Sequence, residues 1–369
     1  MISFAIFAAL LLAFANGAND NFKGVATLYG SRTTTYRTAL IWGTVTTLLG
    51  SLLAVLLASE LLKRFSGKGL VPDELLQLPS FGASLALGSA LTVLAASRLG
   101  FPISTTHAIV GSMIGTALAH NGSVGWEKLA VTLLAPLLLS PLVALIGTAV
   151  IYPMLRRVRI ACGVTSETCL CAGSEVLEVV PLGGTAMALQ RAEALSVKMD
   201  TKVACQQIYS GSFVGIDARK SLDVLHFLTA GLVGFARGLN DTPKIAALLI
   251  TTAGIGGIWP VACVAVVMAI GGLAGARKVA EAMSNRITVM NAGQGFTGNA
   301  VTAFLVTCAS RWGMPVSTTH VSCGALFGIG MANRQAHWKF IQTILAAWLI
   351  TAPVAGTIAF GVSRLMAVS

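Results

Sequence analysis

Long, uninterrupted apolar stretches constrain this chain more than any other feature. Residues 39–62, 129–155, 242–276 and 341–362 each approach or exceed the roughly 20 residues that a helix needs to cross the hydrocarbon of a bilayer, and 242–276 is long enough for two spans joined by a Gly/Pro turn. Backbone groups in lipid must be bonded within their own segment, so such runs fold as helices. They lack the alternation of polar and apolar residues that marks a membrane β-strand. Only 11% of the residues are charged, about half the share of a soluble domain. The expected class is therefore an all-α, multi-pass protein of the cell membrane, with the lipid bilayer as its first partner. Residues 1–16 carry no Lys or Arg ahead of their apolar run, which predicts a retained first span rather than a cleaved signal peptide.

The net charge of +11 invites a nucleic-acid reading, but the basic residues fall between the apolar runs: Arg32 and Arg37, Lys63, Arg64 and Lys68, Arg156, Arg157 and Arg159, Arg219 and Lys220, Arg277, Lys278 and Arg286. That distribution is the cytoplasmic-loop bias of membrane proteins. No strip of aromatic and basic residues accompanies it, so no nucleic-acid partner is expected.

Two short motifs occur twice. Gly17-Ala18-Asn19-Asp20-Asn21-Phe22-Lys23 returns 221 residues later as Gly238-Leu239-Asn240-Asp241-Thr242-Pro243-Lys244. Arg98-Leu99-Gly100-Phe101-Pro102-Ile103-Ser104-Thr105-Thr106-His107 returns 213 residues later, from Arg311 to His320. Trp126 and Trp338, and Pro141 and Pro353, follow at 212. Landmarks in one order at a nearly constant offset indicate an internal duplication. The expected organisation is a first transmembrane repeat (1–157), a central, less apolar cytoplasmic subdomain (158–218) and a second repeat (219–369). Within each repeat, Gly and Asn at the first motif predict a broken helix. Apolar segments of about 17 and 12 residues around the second motif, too short to span a bilayer, predict a re-entrant hairpin. Ser104 is the expected N-cap of its second arm.

The chemistry follows from residue type. Asp20 and Asp241 are carboxylates in apolar surroundings, costly unless paired and hence functional candidates. With Asn19 and Asn240 they offer hard oxygen ligands for Na⁺, or they carry a proton. Lys23 and Lys244 lie one turn on and can pair with them; an Asx-stabilised break or a purely structural Asp–Lys bridge is the competing reading. Ser104, Thr105, Thr106, Ser317, Thr318 and Thr319 combine hydroxyls with helix N-termini, a setting suited to a phosphate or sulfate anion; ordinary capping is the alternative. His107 and His320 are candidates for a proton relay or for buried histidines bonded to a carbonyl. Gln294, Thr297 and Asn299, in a Gly-rich stretch ahead of the second hairpin, are candidate substrate donors or a plain turn. In the central segment, residues 176–180 read as a strand and 191–202 as a helix. Its Cys162, Cys169, Cys171 and Cys205 show no paired C-x-x-C spacing for a metal, and no disulfide is expected of a cytoplasmic segment. Cys263, Cys308 and Cys323 read as packing residues.

Two G-x-N-D motifs and two G-x-P-[IV]-S-T-T-H motifs, in order within a duplicated membrane chain, resemble the inorganic phosphate transporter (PiT) family over 1–157 and 218–369. The resemblance implies inverted-topology repeats with a shared site at the membrane midplane, Na⁺- or H⁺-coupled phosphate uptake, no cofactor, no enzymatic step and a homodimer. It assigns Asn19, Asp20, Asn240 and Asp241 to the cation and polar shell, and the six hydroxyls to the anion. Many members carry Asn at the third position after the Asp; here it is Lys in both copies. A tethered ammonium in place of a bound cation predicts H⁺ rather than Na⁺ coupling. A sulfate permease of the same fold is the nearest alternative; a membrane-embedded enzyme or a non-transporting anion sensor is the alternative of another class.

Overall fold

The computed structural model describes residues 1–65, 67, 69–182, 186–209 and 213–368, with the backbone alone at 59, 64, 175–182, 186–194, 252, 253 and 368. Lys68 lies outside the described residues. The chain divides into two compact units, Met1–Tyr152 with His226–Ser369, and Pro153–Leu225.

The first repeat contributes α1 (Ile2–Asp20), α2 (Ala26–Gly30), α3 (Tyr36–Leu57), α4 (Ser59–Arg64), α5 (Asp73–Leu76), α6 (Pro79–Leu99), α7 (Thr105–Ala119), α8 (Trp126–Leu129) and, after a π-helical turn at Ala130–Leu134, α9 (Ala135–Ala161). The central unit holds β1 (Thr168–Leu182), β2 (Ala186–Thr201), α10 (Lys202–Ile208) and β3 (Phe213–Asp217). The second repeat contributes α11 (Ala218–Ala253), α12 (Trp259–Gly275), α13 (Arg277–Glu281) with a π-helical turn at Ala282–Arg286, α14 (Ala292–Arg311), α15 (Thr318–Ala332) and α16 (Trp338–Val368). Six helices among the described residues are long and apolar enough to cross a membrane, and Trp259–Gly275 with Arg277–Arg286 forms a further, bent pair at 68°. Leu138, Leu142, Ile146 and Val150 of α9, and Leu345 and Leu349 of α16, are exposed, as lipid-facing side chains are. The protein is a mostly helical, multi-pass membrane protein.

The motif glycine is the point at which helices from the two repeats cross. A Cβ on Gly17 of α1 would lie 2.0 Å from Met268 O of α12, and one on Gly238 of α11 would lie 2.3 Å from Thr47 O of α3. The reciprocal pair is Gly271 against Phe14 O at 2.1 Å and Gly50 against Phe235 O at 2.0 Å. All four contacts map onto each other under the 221-residue offset. Each motif helix therefore packs on the other repeat's helix, as contacts across a twofold do.

The first motif copy is broken as expected. α1 ends at Asp20, and the backbone tightens to i→i−3 bonds, Lys23 N–H to Asp20 O at 3.2 Å and Val25 N–H to Phe22 O at 3.2 Å, before α2 begins. The second copy departs from expectation. α11 runs through Asn240-Asp241-Thr242 and carries Pro243 inside it. Proline's fixed φ is helical, and it removes one N–H without ending the helix. The Gly24 that follows the first break, with its low helical propensity, has Ile245 as its counterpart.

Both hairpins turn on a left-handed glycine, Gly100 at φ 79° and Gly313 at φ 67°, a conformation that costs a residue with Cβ about 1 kcal/mol or more. Ser104 and Ser317 cap the second arms by accepting from the N–H of His107 and of His320, both at 3.2 Å, each worth about 1 kcal/mol. The arms are longer than the 17 and 12 residues expected: α6 has 21 residues and α7 has 15. Helical bonds extend past the apolar core of each segment into its small and polar flanks, and α6 is by itself long enough to span.

The central unit is a three-stranded antiparallel sheet in the order β2-β1-β3. Residues 176–180 fall in β1. The stretch 191–202 is strand rather than helix up to Thr201, because it pairs with β1 from Thr168↔Thr201 to Val176↔Arg191; tertiary pairing overrides a weak helical preference. Cys171 and Cys205 form a disulfide, against the expectation of free thiols. Strand pairing and α10 bring them together, which spacing does not reveal. Of the helical cysteines, Cys323 is buried, but Cys263 is exposed and packs less than expected.

Candidate functional site

Asp20, Lys23, Asp241 and Lys244 are all buried and meet between the two hairpin tips. Lys23 Nζ donates to the Asp20 carboxylate, to Thr319 Oγ1 and to Ile103 O, the last at 3.2 Å. Lys244 Nζ donates to Asp241 Oδ1 at 3.4 Å, Thr106 Oγ1 at 2.9 Å and Val316 O at 2.8 Å. Under exchange of repeats the two sets coincide: carboxylate three residues back, carbonyl at its own repeat's hairpin tip, hydroxyl from the other repeat's hairpin. Each ammonium thus donates to oxygens, and Phe65 adds a ring face 5.6 Å from Lys244 Nζ. Buried charges need such full pairing, since an unpaired one costs several kcal/mol.

Asn19 and Asn240 bond mainly to the hairpins. Asn19 donates to Phe101 O at 3.0 Å and Ser97 Oγ at 3.1 Å, and accepts from Ile103 N–H at 3.2 Å. Asn240 donates to Val316 O and to Asp241 Oδ1, both at 3.0 Å. Thr105 Oγ1 accepts from Asn16 Nδ2 at 3.0 Å, Thr318 Oγ1 donates to Asp241 Oδ2 at 3.4 Å, and Thr319 Oγ1 donates to Ile103 O at 2.7 Å. The N-termini of α7 and α15, with their positive dipole ends, therefore sit against the paired charges.

Arg237 escaped the sequence reading. It is 1% exposed and is the counterpart of Asn16 at the 221-residue offset. Its guanidinium donates to Asn16 Oδ1 at 2.6 Å and to Asn21 Oδ1 at 3.2 Å, and its Nε lies 3.6 Å from Asp241 Oδ2. Asn16 Nδ2 in turn reaches Asp20 Oδ2 at 3.3 Å and Asp241 Oδ2 at 3.4 Å. A charge within an apolar span was the available signal. With Arg237 the cluster holds three cations against two carboxylates, an excess that suits an anionic ligand.

His107 and His320 face each other with ring centroids 4.6 Å apart, and His320 lies 3.8 Å from the Trp348 ring. Trp348 Nε1 donates to Pro102 O at 3.0 Å, tying this stack to the first hairpin. Among the described residues, His107 Nδ1 and His320 Nε2 have no hydrogen-bond partner. Gln294, Thr297 and Asn299 bond elsewhere. Gln294 completes a capping box with Asn291 and donates to Tyr152 Oη at 3.2 Å. Thr297 Oγ1 donates to Gly293 O at 2.9 Å. Asn299 donates to Thr27 Oγ1 at 2.8 Å, which is also 2.9 Å from His226 Nε2. No described hydrogen bond joins these three to the charge cluster.

A model of the phosphate transporter family matches residues 16–359. The chain belongs to the phosphate transporter family. The match runs on through the central segment, which the sequence reading placed outside it. Among similar proteins, a putative phosphate permease of Pyrococcus horikoshii is 26% identical, over 94% of this chain and 93% of the relative. A probable low-affinity inorganic phosphate transporter of Rhizobium meliloti is 28% identical over 95% and 92%. The chloroplastic inorganic phosphate transporter 2-1 of Arabidopsis thaliana is 26% identical over 94% of this chain and 69% of its own. A solved structure, described as the sodium-dependent phosphate transporter, superposes with a TM-score of 0.76 at 20% identity, covering 100% of this chain and 99% of that one; at that identity the likeness establishes the shared fold.

Proposed function

We propose that this family member imports inorganic phosphate by H⁺-coupled symport, with the ammonium groups of Lys23 and Lys244 standing where coupling cations would otherwise bind. The observation that carries this reading is the oxygen shell of each lysine: a carboxylate, a hairpin carbonyl and a threonine hydroxyl are ligands that Na⁺ would take. A covalently attached cation pairs with Asp20 and Asp241 without any metal ion entering. The anion engages the hydroxyls of Thr105, Thr106, Thr318 and Thr319 at the positive ends of α7 and α15, and Arg237 supplies the surplus positive charge. The coupling proton is assigned to Asp20, which has one cationic partner where Asp241 has two. The two repeats are taken as inverted, with re-entrant hairpins that part and re-form on either side of the shared site.

Uptake of radiolabelled phosphate into proteoliposomes, with Na⁺ and proton gradients imposed separately, tests this. Phosphate uptake driven by a proton gradient in Na⁺-free buffer, lost in Asp20→Asn, is the expected result. A strict Na⁺ requirement, retained in Lys23→Asn with Lys244→Asn, overturns the tethered-cation reading and leaves the family assignment intact. Sulfate uptake without phosphate uptake moves the substrate; no flux of either anion refutes transport.

A further inference from the structure

Three cysteines meet inside the central unit, a feature that the transport reading does not use. Cys169 and Cys171 are two residues apart on β1 and so face the same side of the strand. α10, whose N-terminus is capped by Thr201, carries Cys205 onto that side. All three are buried, at 3%, 0% and 0% exposure, together with Tyr209, and their sulfurs lie within 4.8 Å of one another. Gly215 stands beside them on β3; a Cβ there would come within 2.7 Å of Cys169 Sγ, so the missing side chain makes the space that this thiol occupies. Cys171 and Cys205 are joined, and Cys169 is the free third thiol.

We propose that Cys169, Cys171 and Cys205 form a thiolate site for a thiophilic d¹⁰ cation, Zn²⁺ or Cu⁺, which opens when the Cys171–Cys205 bond is reduced. Among the described residues the group contains no carboxylate or imidazole, and an all-sulfur set selects soft ions. Zn–S bonds of about 2.3 Å in tetrahedral geometry place sulfurs ~3.8 Å apart; the free Cys169 sulfur already lies within 4.8 Å of both others, and the bonded pair must part on reduction to reach that spacing. The basic residues flanking the segment, Arg156, Arg157 and Arg159 before it and Arg219 and Lys220 after it, predict a cytoplasmic side. There, persistent structural disulfides are rare, and clustered cysteines serve metals or redox chemistry. Opening is a two-electron step: a dithiol reductant gives two electrons and two protons to the Cys171–Cys205 bond, yielding two thiols and its own disulfide. Metal binding then releases the protons of the coordinating thiols.

The test uses the full-length protein in detergent, reduced, desalted under argon and titrated separately with Zn²⁺, with Co²⁺ as its coloured analogue, and with chelator-buffered Cu⁺. The expected result is about one tightly held ion per chain, a sulfur-to-Co²⁺ charge-transfer band, and loss of both in Cys169→Ser. A variant with Ser at Cys162, Cys263, Cys308 and Cys323 should keep them. Retention of Zn²⁺ alone or of Cu⁺ alone names the ion. On the unmutated protein, pulse alkylation read by mass spectrometry should show all three cluster thiols slowed together once metal is added, since a thiolate bound to metal is no longer free to react. No stoichiometric ion in either arm, binding that survives Cys169→Ser, or protection that omits Cys169 overturns the proposal.

Discussion

Asp241 touches two cations, Lys244 at 3.4 Å and Arg237 at 3.6 Å, whereas Asp20 has Lys23 as its ion-pair partner. The two aspartates are therefore equivalent in motif and unequal in consequence. Asp241→Asn leaves two buried cations without their shared anion; Asp20→Asn leaves one. Removing one member of a buried pair costs about 3–5 kcal/mol, so both variants should unfold earlier on heating in detergent, and Asp241→Asn by the wider margin. Equal shifts for the two would mean that Arg237 draws its stability from Asn16 and Asn21 rather than from Asp241. The asymmetry originates in one replacement, Asn16 in the first repeat against Arg237 in the second, and it gives a nearly symmetric site its net positive charge.

At the level of helices, the tightest constraint is where backbones touch. With a Cβ on Gly17 falling 2.0 Å from Met268 O, Gly17→Ala forces α1 and α12 apart, and backbone atoms on both sides give no rotamer escape. The expected cost is about 3 kcal/mol or more, in the range of severe core substitutions, seen as loss of monodisperse protein in size-exclusion chromatography. Gly361→Ala in α16 is the matched control. Nothing lies within 4 Å of its Cβ position, and alanine favours the helix by about 1 kcal/mol, so it should be tolerated. The hairpins show the same economy. A left-handed glycine, an extended Pro tripeptide and a serine cap turn the chain in both repeats, and Asn19 and Asn240 then fasten the turns to the motif helices.

For the whole molecule, the reciprocal glycine contacts and the exchanged lysine bonds make the site a shared product of both repeats. Any motion that opens it on one side must separate groups from opposite hairpins, and His107 against His320 at 4.6 Å is where such groups meet. Replacing both histidines by Cys in a chain whose free cysteines are removed should allow an oxidative cross-link. That cross-link should arrest phosphate uptake, and a reductant should restore it. Uptake unaffected by complete cross-linking would mean that the hairpins move as one body.

The residues by themselves determined the helical membrane class, the duplication and the motifs that build the charge cluster, because bilayer thickness, helix geometry and the cost of buried charge act on local sequence. Spacing alone paired Asp20 with Lys23 and Asp241 with Lys244, since three residues is one helical turn. Only the tertiary structure decided what those lysines reach next, Thr319 and Thr106 of the opposite hairpins, because such contacts close across hundreds of residues. It also directed the described hydrogen bonds of Gln294, Thr297 and Asn299 to partners outside the cluster, kept α11 continuous through Pro243, and turned 191–201 into a strand, because cross-chain hydrogen bonds and packing outweigh local preference. Arg237 lay between these extremes: its charge was plain in an apolar span and Asp241 stands one turn on along α11, but its partners Asn16 and Asn21, more than 200 residues away, were brought to it by tertiary packing.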